Sequence, residues 1–135
     1  MIDHQAALIY TMVLVSASDN NMTDAEMRII GDNVRDLPAF AGYDHDKLTE
    51  TLGECAALLG GADGLEETFT RIKAALPARL RETAYALACD VVAADGEASQ
   101  EELRVLEMIR HRLAIDRLVA AAIERGTRAR FMTAE

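Results

Sequence analysis

The sequence predicts an all-α fold: a single-domain helical bundle of about seven helices with an internal pseudo-twofold duplication. Three observations lead there. Half of the residues are hydrophobic, Ala, Leu, Glu and Arg are abundant, and there are only two Pro and no Trp, a composition that favours helices. The β-branched and aromatic residues do not fall into the alternating runs that strands use. Finally, Asp-x-x-x-[Ser/Thr]-x-x-Glu occurs twice, 76 residues apart, as Asp19 to Glu26 and as Asp95 to Glu102. Each copy follows an apolar run and precedes a stretch of helical period. The same offset aligns Val15 with Val91, Ala17 with Ala93, Arg28 with Arg104 and Leu37 with Leu113, so similarity at a fixed period extends beyond the loops.

The first helix is expected from about Asp3 to Ser18, apolar nearly all round from Ala6 to Ala17 and hence central. The second begins after Thr23 and runs to about Asp36, with Met27, Ile30 and Val34 on one face and Pro38 as its stop. Residues 37 to 43 connect it to a third helix, about Asp44 to Leu59, which carries Leu48, Leu52, Cys55, Ala56 and Leu59 at helical spacing and stops at Gly60-Gly61. A fourth follows Asp63, which caps it with Glu66 as box partner, and ends near Leu76. Pro77 suits the first position of a fifth helix that reaches Ala94 and corresponds to the first. The sixth, Ser99 to about Leu113, corresponds to the second and should bury Leu103, Leu106, Ile109 and Leu113. The last is expected from Asp116 to about Arg125, stopped by Gly126. The chain is thus expected to be a single domain over residues 1–135, with repeated hairpins at about 3–37 and 77–113 around one core.

A net charge of −9 argues against nucleic acid as the main partner, because phosphate binding relies on clustered Lys and Arg. The charge is uneven: residues 1–102 hold 19 acidic and 7 basic side chains, whereas residues 103–135 hold 4 acidic and 7 basic. The basic end could meet an acidic surface, a second copy of the chain included, or be a solvated helix face. Cys55 and Cys89 are too few for a disulfide framework or a Cys-type zinc site, which suits a reducing cytoplasm. The run Ala6–Ala17 lacks a basic flank and is shorter than the roughly 20 residues of a bilayer span, so neither a signal peptide nor a membrane helix is expected. His4, His45 and His111 show no ligand or proton-transfer spacing, and no phosphate loop, nucleophile elbow or Cys/His pairing is visible. No catalytic residue and no organic cofactor is expected.

The duplicated loops carry two readings. Thr23 with Glu26 and Ser99 with Glu102 are capping boxes, with Met22–Met27 and Ala98–Leu103 as hydrophobic staples, and these account for the glutamates without any ligand. Asp19 and Asp95, four residues before each cap, are not needed by that rule. Counted from either Asp, side-chain oxygens fall at loop positions one, three, five and eight: Asp19, Asn21, Thr23 and Glu26, then Asp95, Glu97, Ser99 and Glu102. Oxygen donors without His or Cys suit a hard divalent ion, calcium by ligand type, although the loops lack the Gly and Glu that an EF-hand requires at positions six and twelve. If the loops act independently, the second should bind more tightly, with three carboxylates against two. The alternatives are a metal-free helical interaction module and a metal-dependent enzyme; di-iron bundles use Glu-x-x-His motifs, which are absent. Asp90, whose counterpart is Leu14, lies among apolar neighbours; it should pair with an arginine such as Arg79 or Arg104, join the acidic loops, or emerge at the surface.

Leu80-Arg81-Glu82-Thr83-Ala84 through Cys89, then Ala93-Ala94-Asp95-Gly96-Glu97, Glu102, and Leu106 to Leu113 resemble the tellurite-resistance protein TerB family. The resemblance spans nearly the whole chain and is sharpest from Leu80 to Asp116; in the first loop Asn20-Asn21 replaces Gly-Glu. It implies a small helical protein of tellurite and stress response, cytoplasmic and peripheral at the inner membrane. It also implies metal binding through Asp19, Glu26, Asp95 and Glu102, with Glu97 in addition, and action with TerD-like proteins and a TerC-like membrane protein. A homo-oligomer is compatible with the same reading.

Overall fold

Asp3 opens the first helix by accepting the Ala6 N–H at 2.8 Å, and α1 runs His4–Ser16 in a computed structural model that describes residues 1–135. Nearly every α1 side chain from Ala7 onward is buried, as its unbroken apolarity demands. It ends at Ser16, two residues earlier than expected, because Ala17 to Asn20 already turn into the loop. The second helix, α2 (Asp24–Asp36), buries Ile30 and Val34 and half-buries Met27. It stops before Pro38, which starts a 3-10 turn at Pro38–Phe40. Gln5 Nε2 donates to the Ala39 and Ala41 carbonyls, both at 3.2 Å, and ties this connector back to α1.

Asp44 caps a 3-10 turn, His45–Lys47, that leads into α3 (Leu48–Leu59), so the regular helix begins later than Asp44. Its buried positions are Thr51 and Cys55, while Ala56 faces solvent. Helix α4 (Gly64–Ala75) starts without the expected box: Asp63 makes no side-chain cap, and Glu66 instead meets Arg112 at 2.6 Å. Gly64 is needed there, since a Cβ would lie 2.2 Å from the Leu59 carbonyl oxygen. Pro77 is not the first helical residue. It precedes a 3-10 turn, Ala78–Leu80, and α5 follows at Arg81–Ala93.

Helix α6 (Gln100–Arg112) buries Glu102, Val105 and Ile109, and Leu113 just beyond is buried too. The expected face is rotated: Leu103 is 45% exposed and Leu106 only half-buried, because Glu102 takes the inward position that an apolar periodicity assigns elsewhere. With Leu103 and Met22 exposed, neither staple forms a buried contact. Helix α7 (Arg117–Arg130), capped by Asp116, passes through Gly126 instead of stopping there. An internal Gly costs only about 1 kcal/mol, and beyond it Thr127 is buried and Arg130 reaches α5.

The two apolar helices, α1 and α5, pack on each other at the centre. Helix α1 also touches α6 and α5 also touches α2, so the hairpins interlock; α3 and α4 cover α1, and α7 covers α5. All the buried hydrophobic residues belong to one core cluster, there is no strand, and no helix is long and apolar enough to cross a membrane. This packing carries both inter-helical loops of the hairpins to one side of the core, where they meet.

Candidate divalent-cation site

The α1–α2 and α5–α6 loops are built alike. Asp19 Oδ1 accepts the Asn21 N–H at 3.1 Å, and Asp95 Oδ1 accepts the Glu97 N–H at 3.3 Å. These Asx turns give both aspartates the local role that capping alone left open. Between each pair the chain passes through positive φ, +59° at Asn20 and +82° at Gly96. Asn is the non-glycine residue that best tolerates this region, so Asn20 replaces Gly with the turn retained.

Both capping boxes are complete. The Glu26 N–H donates to Thr23 Oγ1 and the Thr23 N–H returns to Glu26 Oε1, both at 3.1 Å. The Glu102 N–H donates to Ser99 Oγ and the Ser99 N–H to Glu102 Oε1, both at 3.0 Å. Each cap should contribute about 1 kcal/mol. Glu26 and Glu102 are nonetheless only 1% and 2% exposed, although a cap can form at a solvated helix end.

One difference between the copies follows from a residue that the loop motif omits. Ser16, at the end of α1, donates its hydroxyl to Glu26 Oε1 at 2.9 Å; its counterpart on α5 is Val92, which cannot. Glu102 Oε2 is left buried with no hydrogen-bond partner. A hydroxyl residue closing an otherwise apolar helix was the signal for Ser16. Burial, then a hydrogen bond to the neighbouring Glu26 carboxyl and the charges of Glu26 and Asp19, push the Glu102 carboxyl up to about 7 against the opposing Ser99 N–H.

The five candidate acidic residues, Asp19, Glu26, Asp95 and Glu102 of the motif with Glu97 in addition, line one pocket of about 320 Å³, together with Asn21 and Ser99. The two loops therefore contribute to a single concavity. Its donors are all oxygens, which suits a hard cation and not zinc or copper. In each glutamate the cap uses Oε1, so capping and ligation do not compete for the same atom. Glu102 Oε2 has no donor of its own, and a proton shared with the Glu26 carboxyl or an ion would each satisfy it. No three His, Cys, Asp or Glu side chains are gathered closely enough to hold a metal ion as they stand. Thr23 does not line the pocket, although its counterpart Ser99 does; both hydroxyls serve their caps.

Elsewhere the reactive groups are quiet. Burial pushes the thiols of Cys55 and Cys89 up to about 12. Asp90 does take an arginine, but Arg130 of α7 at 2.6 Å instead of Arg79 or Arg104; burial raises its carboxyl and Arg130 opposes the rise. The choice follows from α7 running past Gly126, which sequence periodicity did not reveal.

Among known proteins, the family described as tellurite resistance protein TerB matches residues 5–125. No curated protein and no solved structure matches the chain.

Proposed function

The chain belongs to the tellurite resistance protein TerB family, and on that basis and the geometry of the acidic pocket we propose that it is a non-enzymatic domain binding one hard divalent cation between its two hairpins. The single observation that carries this reading is the convergence of five carboxyl side chains from both loops on one pocket, the buried Glu102 among them. Calcium takes six to eight oxygen ligands, and seven oxygen-bearing side chains line the pocket, three from the first loop and four from the second. An ion held this way ties α1–α2 to α5–α6, so occupancy would be felt as stability and relayed to protein partners. By family resemblance these are TerD-like proteins and a TerC-like membrane protein, met in the cytoplasm at the inner membrane face.

A non-catalytic role is supported by Cys55 and Cys89, whose thiols burial holds at about 12 and so protonated. The metal-free interaction module remains the second reading, favoured by the completeness of both capping boxes. Thermal melts of the purified protein with calcium, magnesium, manganese or zinc separate the two. A stabilisation that grows with the logarithm of ion concentration supports the ion site. No shift with any of them at millimolar concentration leaves the interaction module.

A further inference from the structure

We propose that the acidic pocket between the two hairpins also accepts the guanidinium group of an arginine side chain, in the place that the divalent ion would take. The inference rests on the pocket named above as a cation site, but not on a metal filling it. An ion needs its oxygens gathered around one point at about 2.3–2.6 Å. Here five acidic side chains line a pocket of about 320 Å³, and no three of them stand closely enough together for that. A guanidinium asks for the opposite arrangement, because its five N–H donors point outward around a rigid plane and meet acceptors that lie apart. The volume of the pocket also falls at the lower end of the ~300–1,000 Å³ typical of sites for small organic groups.

The acceptors are laid out for such donors. Asp19 and Asp95 each spend Oδ1 on an Asx turn, and Glu26 and Glu102 each spend Oε1 on a capping box, which leaves the second oxygen of each carboxyl for a ligand. The most demanding of these is Glu102 Oε2, on a side chain only 2% exposed, which receives no hydrogen bond from the chain. An arginine N–H supplies that bond and, being always protonated, brings a counter-charge for the neighbouring Glu26 as well. Ala98 is the one hydrophobic residue of the lining and no aromatic ring is present, which excludes the cage that holds a quaternary ammonium. A lysine ammonium is a strongly hydrated point charge, whereas the weaker hydration and flat fork of guanidinium suit a pocket that desolvates its occupant. Arginine is also the cation that this chain itself presents. Twelve of its fourteen Lys and Arg residues are Arg, and Arg104, Arg117, Arg125 and Arg128 are exposed and form no ion pair within the chain. The guanidinium comes from a second copy or from another protein.

The test titrates N-acetylargininamide into the full isotope-labelled chain in EDTA at constant ionic strength, alongside its lysine analogue and its neutral citrulline analogue. The expected result is saturable binding in the millimolar range that shifts the amide resonances of Asn21, Glu97 and Ser99, with the lysine analogue several-fold weaker and the citrulline analogue silent. Glu102→Gln keeps its cap but turns an N–H donor into the pocket, and should weaken binding by roughly tenfold. Asp19→Asn, from the other loop, should weaken it too, and melts in EDTA check that both variants fold. Because no metal is present, failure of the ion reading leaves this outcome untouched; where calcium does bind, it should displace the arginine derivative. Sedimentation of the full chain distinguishes the sources. Self-association that Glu102→Gln abolishes assigns the arginine to a second copy, and a monomer at every concentration assigns it to another protein. The proposal is overturned by the absence of saturable shifts, by shifts centred away from the two loops, by equal binding of the lysine or citrulline analogue, by unchanged affinity in both variants, or by calcium binding that leaves the arginine derivative in place.

Discussion

Glu26 and Glu102, 76 residues apart in sequence, come together as neighbouring buried carboxyls at the junction of the two hairpins. Each closes its own capping box through Oε1, and only Glu26 gains a further donor, from Ser16. Two acids in one desolvated place are costly when both are charged, a cost that the proton held by the raised Glu102 carboxyl relieves and that a bound cation would relieve in its stead.

Glu102→Gln separates cap from ligand. Gln serves the same box, and it removes a buried charge beside Glu26, so the ion-free protein should keep its helix start and melt at the same temperature or higher. The stabilisation by added divalent ion should largely disappear. Thermal melts with and without calcium check both halves; an ion response equal to that of the parent would count against Glu102 as a ligand.

Stability without ion should depend on pH through Glu102. Its carboxyl is raised from the ordinary value of 4.5 to about 7 in the fold, so between those values the folded state binds more protons than the unfolded chain. Stability is then highest at the acid end of that window, falls as pH rises toward 7, and levels off above it. Melts at intervals from pH 5 to pH 8 in EDTA should show the fall, and Glu102→Gln should flatten it.

The Asp90–Arg130 pair fastens α7 to α5. Arg130→Met leaves Asp90, 9% exposed, without its counter-charge and should cost about 1–3 kcal/mol, less than a fully buried pair because Arg130 itself is solvated. Asp90→Leu, which copies its counterpart Leu14, combined with Arg130→Met should recover most of the loss. Chemical denaturation of the two variants measures this; equal losses would mean that the pair is not what holds the helix.

Ala114 holds φ at +54° where α6 ends, and the Ile115 N–H closes back onto the Arg110 carbonyl at 3.0 Å. A left-handed alanine is strained by about 1 kcal/mol relative to glycine. Ala114→Gly should therefore raise stability by about that amount, read from the denaturation midpoint at unchanged slope.

The parts that were legible in the sequence are those governed by local chemistry. The Thr23–Glu26 and Ser99–Glu102 boxes, the buried α1 and the stop before Pro38 follow from propensity and capping, which act over a few residues. Helix α7 exceeded its expected end because long-range contacts from Thr127 and Arg130 outweigh the propensity cost of Gly126. Leu103 was expected inside and is outside because the inward position belongs to Glu102, a charge that no hydrophobic pattern places in a core. The candidate residues were visible as a repeated motif, but their meeting in one pocket was not, since spacing along the chain does not reveal how two hairpins pack. Ser16 carried only the signal of a hydroxyl closing an apolar helix; that it meets Glu26 depends on the same packing.

Calorimetric titration of calcium into the parent protein, Asp19→Asn, Asp95→Asn and the double variant tests the shared site most directly. The account predicts one ion per chain, comparable weakening by either single substitution from opposite loops, and a double-variant loss that differs from the sum of the two because both act on the same ion. Two ions per chain, with each substitution abolishing only one of them, would contradict it.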